Sequence, residues 1–238
     1  MAKTTGLNVR LYVEGYDLSG DANAVSGIGY TNELLDVTTL DVSAHKRIVG
    51  MVDGEISIDA WFDNAASHQH AVWTSYSNKL PTADQEVLVP MGGSIGDSAV
   101  GMVTKQGTYA VTRSTGSAIA ANAAFTSTST GPEFGVMLTA HDDTVGSAAT
   151  GTAVDNSASS ANGGAGYIQA FSLASGTAVC KIQHSADNST YTDLVTFTSV
   201  TGVTAERVAV TGTVNRYIKY SISGTFSNLK FAMAFSRS

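Results

Sequence analysis

The stretch DVTTLDVSAHKRIVGMVDGEISI, residues 36–58, places a polar segment with His45, Lys46 and Arg47 directly before a strand. The strand continues as GEISIDAWF, in which Ile56, Ile58 and Ala60 share one face. Polar residues and a tryptophan alternate with them on the other face, which is the pattern of a half-buried β-strand. The segment therefore predicts a long charged loop, residues 36–52, joined to an amphipathic strand.

Alternation of the same kind predicts a mainly β protein. LNVRLYV at residues 7–13 and FGVMLTA at 134–140 have strand length, and AVGMVTKQGTYAVTR at 99–113 predicts a hairpin turning near Gln106 and Gly107. One segment differs: apolar and aromatic residues fall at helical spacing after Asp63 or Asn64, either of which could cap a helix. We therefore predict one flanking α-helix from Ala65 to Ser77.

Composition divides the chain after the strand at 134–140. Residues 141–166 are rich in Gly, Ser and Ala, which favours a flexible linker or a long surface loop. Six runs of strand length separated by turn-like segments follow it, the last turn being SGTFS at residues 223–227. We therefore predict a first domain over residues 1–140, a linker over 141–166 and a second, smaller β-sandwich domain, Ig-like or jelly-roll-like, over 167–238.

Composition and motifs argue against an enzyme. The chain has 238 residues, a net charge of −7 and one cysteine, Cys180, whose alternating neighbours predict a buried thiol. No nucleophile elbow, phosphate-binding loop or dinucleotide fingerprint is present. His68 and His70 point apart on a helix, so we predict no metal site and no cofactor. The acidic balance disfavours specific nucleic-acid binding, and no apolar run predicts a secretory signal or a membrane span.

Residues 5–139 resemble the major tail tube proteins of long-tailed, siphovirus-type bacteriophages. The residues that carry the resemblance are the DVTTL-like start of the polar loop, the pattern G-x-x-DGEISI with a following FD, and the helix and strands after it. The remainder looks like the extra C-terminal β-sandwich modules of some phage tail and capsid proteins. The resemblance implies a tail-tube-type β-sandwich or barrel with one flanking α-helix, and a C-terminal module displayed on the tube exterior.

The function that the resemblance implies is structural. Subunits of that family form hexameric rings that stack into a tube around the tape-measure protein, between tail terminator and tip proteins. The tube conducts DNA during ejection without binding it specifically, and no membrane is involved. For this chain the resemblance implies assembly in the bacterial host cytoplasm and a final location in the virion tail.

Two assignments of residues follow from combining the resemblance with the pattern. If the polar face of the strand lines the lumen, Glu55 and Asp59 would repel DNA, although a solvated outer face explains them equally well. The loop before the strand is the expected inter-ring contact, because it combines charged with apolar residues. Its predicted contact residues are Asp41, His45, Lys46, Arg47, Ile48 and Met51.

The alternative function is a non-enzymatic virion decoration protein or a tail-tip carbohydrate-binding protein. Aromatic side chains of the C-terminal part could stack on sugar rings, although packing within the sheet is the more common fate of aromatic residues in strands. The candidates are Tyr167, Phe171, Tyr191, Tyr217 and Tyr220.

Overall fold

The computed structural model describes residues 8–75, 79–141 and 143–238, and nearly all of its regular structure is antiparallel β. The first residue of the strand predicted at 7–13 and the last two of the predicted helix, Tyr76 and Ser77, lie outside these ranges. No helix in the described ranges is long and apolar enough to cross a membrane. The first elements are β1 (Tyr12–Val13), β2 (Tyr16–Asp17), β3 (Ala22–Asp36), β4 (Arg47–Trp61), α1 (Gln69–Trp73), β5 (Gln85–Pro90), β6 (Ser98–Thr112), β7 (Ala120–Ser127) and β8 (Glu133–Met137).

The second half of the chain is built around one long ribbon of two strands. Its elements are β9 (Asp143–Val145), β10 (Ala149–Thr150), β11 (Val154–Asp155), β12 (Gly164–Ser185), β13 (Thr192–Thr196), β14 (Thr204–Val210) and β15 (Tyr217–Arg237). β12 pairs with β15 over almost its whole length, while β13 and β14 pair with the other edge of β12.

Pairing is continuous from one half to the other. β3, β4, β7 and β6 follow one another as neighbours, and β6 pairs in its first half with both β5 and β8. β8 then pairs with β15. The division into two domains stays a prediction, but ladder hydrogen bonds cross the proposed boundary.

The alternation predicted for the strand after the polar loop is confirmed in β4. Ile56, Ile58 and Ala60 are at most 1% exposed and pack into a core that includes Trp73 of α1 and Phe125 of β7. Burying these side chains contributes on the order of 1.5–3 kcal/mol for each large one. This core holds β4 and β7 against the helix and fixes which face of the sheet points outward.

Two predicted turns are wrong because the chain continues as a strand through each of them. At Gln106 and Gly107 the ladder between β6 and β7 shifts its register, so Gly107 is the extra residue of a β-bulge rather than the corner of a hairpin. In SGTFS, Gly224 has φ 110°, and β15 bends there while still paired with β12, whose Gly176 has φ 86°. Residues on both sides of this bend share one core, so the ribbon folds over itself.

The helix is shorter than predicted and begins later. α1 spans only Gln69–Trp73, and Asp63 caps the turn before it by accepting from Ala65 N at 2.8 Å. The helix itself is capped from a distance in sequence, because Asp21 Oδ2 accepts from Gln69 N at 2.9 Å. A cap supplied from 48 residues away gives no local sequence signal, so the start could not be read from the segment alone.

Residues 141–166, predicted as a linker or surface loop, contain three short strands. β9, β10 and β11 each pair with β15, and they lie one after another along the edge of β15 that faces away from β12. Together with β8 they pair with 9 of the 21 residues of β15 and so cover part of an edge that would otherwise present unpaired backbone groups.

A polar junction connects the two halves around Glu86 of β5. Glu86 Oε1 accepts from Arg207 N of β14 at 2.5 Å, and Gln169 Nε2 of β12 donates to the Glu86 carbonyl at 3.1 Å. The Arg207 guanidinium makes two hydrogen bonds to the Glu133 carboxylate, at 2.6 and 2.7 Å. Burial raises the pKa of Glu86 to about 8, and the charges of Glu14 and Glu206 add to that effect.

Candidate assembly surface

The distal part of the β3–β4 hairpin, residues 30–52, extends away from the core, and we call it the arm. Every residue of the arm is exposed except Gly50, which is half-buried. Strand pairing continues along the arm as far as Asp36 and Arg47, so it is an ordered two-stranded ribbon. It nevertheless carries an unusual number of exposed apolar side chains, namely Tyr30, Leu34, Leu35, Val37, Leu40, Val42, Ile48, Val49, Met51 and Val52.

The tip of the arm is organised by its own side chains. Asp36 accepts hydrogen bonds from Thr38 N at 2.9 Å and from the Thr38 hydroxyl, and these bonds lower the pKa of Asp36. His45 Nδ1 lies 2.9 Å from the other Asp36 oxygen, and Lys46 N donates to Thr38 Oγ1 at 2.9 Å. The loop therefore has a defined shape that presents Leu40 fully to solvent. A preformed loop loses little conformational entropy when it binds.

The six predicted contact residues all lie exposed on the arm, although no partner tests the contact itself. Among the described residues, Lys46 and Arg47 form no ion pair, so both cations remain available to a partner. The predicted loop is shorter than 36–52, because β4 begins at Arg47. Ile48 and Met51 are therefore strand residues, since the apolar run pairs with Asn32–Leu35 of β3.

The four-stranded sheet β3–β4–β7–β6 has two free edges. Within the described ranges, β3 pairs only with β4, so the outer side of its 15 residues has no strand beside it. On the opposite side, β5 covers β6 only as far as Thr104, and residues 105–112 pair with β7 alone. Long uncovered edges at both sides of one sheet are templates for pairing with further strands.

The outer face of this sheet carries mostly small, polar and acidic side chains, with Trp61 and Lys105 as the two exceptions. Rows of neighbouring residues run across the strands, with Glu55 and Asp59 of β4 as the acids. Ser57 Oγ donates to Glu55 Oε1 at 2.7 Å, and Asn122 donates to Asp59. The other members of these rows are Ala24, Gly27, Gly29, Ser57, Trp61, Ala120, Asn122, Ala124, Thr126, Lys105, Thr108, Ala110 and Thr112.

One cation interrupts this face, and its charge is balanced locally. Lys105 Nζ lies 2.8 Å from Asp84 Oδ1 and donates to the Thr82 carbonyl at 2.6 Å. The predicted separation of Glu55 and Asp59 from the core is confirmed, since both belong to the face opposite Ile56 and Ile58. Whether that face lines a lumen stays a prediction.

The aromatic candidates for sugar stacking have other contacts. Tyr167 and Tyr220 are buried at 1% and 6% exposure. The Phe171 ring packs 4.7 Å from that of Tyr12, the Lys219 ammonium lies 3.8 Å from the centre of the Tyr191 ring, and Arg216 covers Tyr217 at 4.9 Å. These five rings do not form a shared open platform.

The most important feature that the sequence did not reveal is the free edge of β3. Gly27 and Gly29 interrupt its alternation, and three register shifts against β4 move residues from one face to the other. Its only local signal is the run from Ala22 to Leu35, which lacks proline and is bounded by a turn and by Asp36. A free edge is a property of the sheet, and the strand's own sequence does not encode it.

No family model and no curated protein matches the chain. Among solved structures, it is similar to a chain of the virion of a native gene transfer agent particle, at 17% identity and a TM-score of 0.43, over 56% of this chain and 98% of that one. It is also similar to the Dit protein of phage SPP1, at 13% identity and a TM-score of 0.36, over 96% and 98% of the two chains. A chain of the phage p2 baseplate in its activated conformation has 9% identity and a TM-score of 0.33, over 97% and 98%. At such low TM-scores and identities, these similarities support no statement about the role of this chain.

Proposed function

We propose that this protein is a structural component of a phage tail whose copies assemble into closed rings that stack into a tube. The rings are hexameric by the family resemblance, the tube surrounds a tape-measure protein, and DNA passes through it during ejection. The role requires no catalysis. The C-terminal half would stand on the outside of the tube.

The observation that carries the proposal is the pair of free edges on one four-stranded sheet. β3 offers 15 residues on one side, and β6 offers residues 105–112 on the other. If the β6 edge of one copy pairs with the β3 edge of the next, each copy forms backbone hydrogen bonds with two neighbours. The shared sheet then has no free edge once the ring is closed. A heterologous contact of this kind is what generates rings.

The arm is the surface through which the rings would stack on one another. Ten of its exposed side chains are apolar, and the same hairpin carries Lys46 and Arg47, which form no ion pair among the described residues. A second copy in the next ring is the proposed partner. Burial there would remove the apolar surface from water and give both cations acidic partners.

The edge pairing can be tested by chemical cross-linking. We expect a variant with Ser26→Cys on β3 and Thr108→Cys on β6 to give a ladder of linked species with a short bismaleimide. Each copy then carries one thiol at each edge, so links propagate around a ring, and the last strong band should correspond to six copies. Negative-stain microscopy of the unmodified protein should show rings or tubes.

Two controls make this result interpretable. Each single-cysteine variant can link at most two copies, so neither should give a ladder. The native Cys180 is buried and its pKa is raised to about 12 by burial, so the unmodified protein should not react. Monomers under the microscope at every concentration, without a ladder in the double variant, would contradict the proposal.

A further inference from the structure

Three metal-ligating side chains meet at the root of the β3–β4 hairpin. His68 Nδ1 lies 2.9 and 3.2 Å from the two carboxylate oxygens of Asp21 and 3.3 Å from Asp63 Oδ2. One ligand atom from each residue falls within 4.8 Å of the other two. Ligands around a zinc ion, each about 2.0–2.2 Å from the metal, are separated from one another by similar distances.

The backbone holds the three residues in place. Asp21 immediately precedes β3, and its carbonyl accepts from Trp61 N, the last residue of β4, at 2.9 Å. Asp63 follows two residues later and caps the turn leading to His68 through Ala65 N. His70 N donates to the Asp63 carbonyl at 3.2 Å, which closes that turn. Each ligand is thus attached to an ordered element, which is the condition for a preorganised site.

The environment of the cluster favours a positive charge. The Asp21 side chain is 8% exposed and accepts a backbone hydrogen bond from Gln69 N, while Asp63 and His68 are about half exposed. A buried carboxylate needs a cation or hydrogen-bond donors to compensate for lost hydration. Protonated His68 can provide that charge, and the hydrogen bond to Asp21 raises the pKa of His68. A divalent ion provides twice the charge and leaves room for water on the open side.

We propose that Asp21, Asp63 and His68 bind one divalent metal ion of the zinc class at the root of the β3–β4 hairpin. One imidazole nitrogen and two carboxylates suit zinc, with a water completing four ligands. The ion would tie the start of β3, the segment after β4 and the start of α1 together, which would stiffen the core-side end of the β3–β4 hairpin.

Calorimetric titration of the chelator-treated full chain with zinc chloride tests the site. We expect one ion to bind per chain, and the midpoint of thermal unfolding to rise with zinc concentration by mass action. Asp63→Asn and His68→Gln should each weaken zinc binding by on the order of tenfold or more. Asp63 is half exposed, so its variant should fold even if His68→Gln proves unstable.

The exposed pair of His45 and Asp36 provides the matched control. It has the same 2.9 Å separation but no third ligand, so His45→Gln should bind zinc as the unmodified chain does. An absence of binding, or equal affinity in the unmodified chain and in Asp63→Asn, would contradict the proposed metal site. The cluster would then be a histidine that hydrogen-bonds to carboxylates without a metal ion. Because the titration uses unassembled protein, its result is independent of whether rings form.

Discussion

Glu86 is a buried carboxyl group whose charge the fold tolerates poorly. Its Oε1 receives one backbone hydrogen bond, its buried Oε2 has no hydrogen-bond partner among the described residues, and Glu14 and Glu206 face it. Arg207 lies near it, but the Arg207 guanidinium is committed to Glu133. The neutral, protonated carboxyl group is therefore the form that suits the junction at neutral pH.

Glu86 should make the protein less stable as pH rises. The pKa of Glu86 is about 8 in the folded protein and 4.5 when unperturbed, so between these values the folded state holds more protons than the unfolded state. The free energy of unfolding should fall across this window by on the order of 1 kcal/mol for each pH unit. Glu86→Gln should remove that contribution, and urea unfolding in buffers on both sides of the window measures it.

The exposed Glu55→Gln is the control for this experiment, because it removes a carboxyl group without touching the junction. Its unfolding free energy should change with pH as that of the unmodified protein does. Equal pH dependence of Glu86→Gln and the unmodified protein would show that Glu86 is ionised in the folded state at neutral pH.

At the scale of elements, the arm is the part of the chain that exposes the most large apolar side chains to solvent. We expect Lys46→Glu with Arg47→Glu to raise the concentration needed for tube formation by about tenfold, which corresponds to about 1.4 kcal/mol. The physical reason is the replacement of two unpaired cations by acids at a contact that an acidic partner would complete. Sedimentation and negative-stain microscopy over a dilution series measure the threshold.

The charge-retaining pair Lys46→Arg with Arg47→Lys is matched to this variant at the same positions. It should assemble at the concentration of the unmodified protein, and all three proteins should unfold at the same temperature because the arm makes no core contact. If the glutamate variant forms tubes at the normal concentration, Lys46 and Arg47 do not contribute to the contact between rings.

The elements that could be predicted from the sequence are those whose structure depends on their own pattern of apolar and polar residues. The faces of β4 followed from alternation because the core covers one side along the segment 54–60. The turns at Gly107 and Gly224 were mispredicted because a glycine that bends a paired strand has the same local sequence as one that reverses the chain. The partner strand decides between the two outcomes, and it lies far away in sequence.

The features of the candidate sites also separate into those that the sequence predicts and those that it does not. The exposed charges and apolar residues of the arm were predictable, since residues 36–52 combine them within one segment. The cluster of Asp21, Asp63 and His68 was not, because pairing between β3 and β4 brings Asp21 to residues more than 40 positions later. Short spacing in the sequence pairs His68 with His70, whereas the metal-ligating neighbours of His68 in the structure are Asp21 and Asp63.

At the scale of the whole molecule, the outer face of the four-stranded sheet would form the wall of the channel. We expect assembled tubes of the unmodified protein to retain no DNA, because Glu55 and Asp59 lie on that face and its one lysine, Lys105, is paired with Asp84. Tubes carrying Glu55→Lys and Asp59→Lys should retain DNA in a salt-dependent manner, since lysine contacts to phosphate release counterions. Co-sedimentation of short duplex DNA with tubes measures the difference.

Glu55→Gln with Asp59→Asn serves as the control, because it changes the same two residues without placing a cation on that face. Its tubes should behave as the unmodified tubes do. If Glu55→Lys with Asp59→Lys binds no more DNA than the control, the acidic face points away from the channel.

The long edge of β15 is partly covered by short strands, whereas the edges of β3 and of the end of β6 are open, and this difference has a kinetic consequence. β9, β10 and β11 line the outer edge of β15, whereas β3 and the end of β6 remain open. Any incomplete chain of copies keeps one open edge at each end, and only closure satisfies both at once. Small oligomers should therefore be scarce, and assembly should start after a lag.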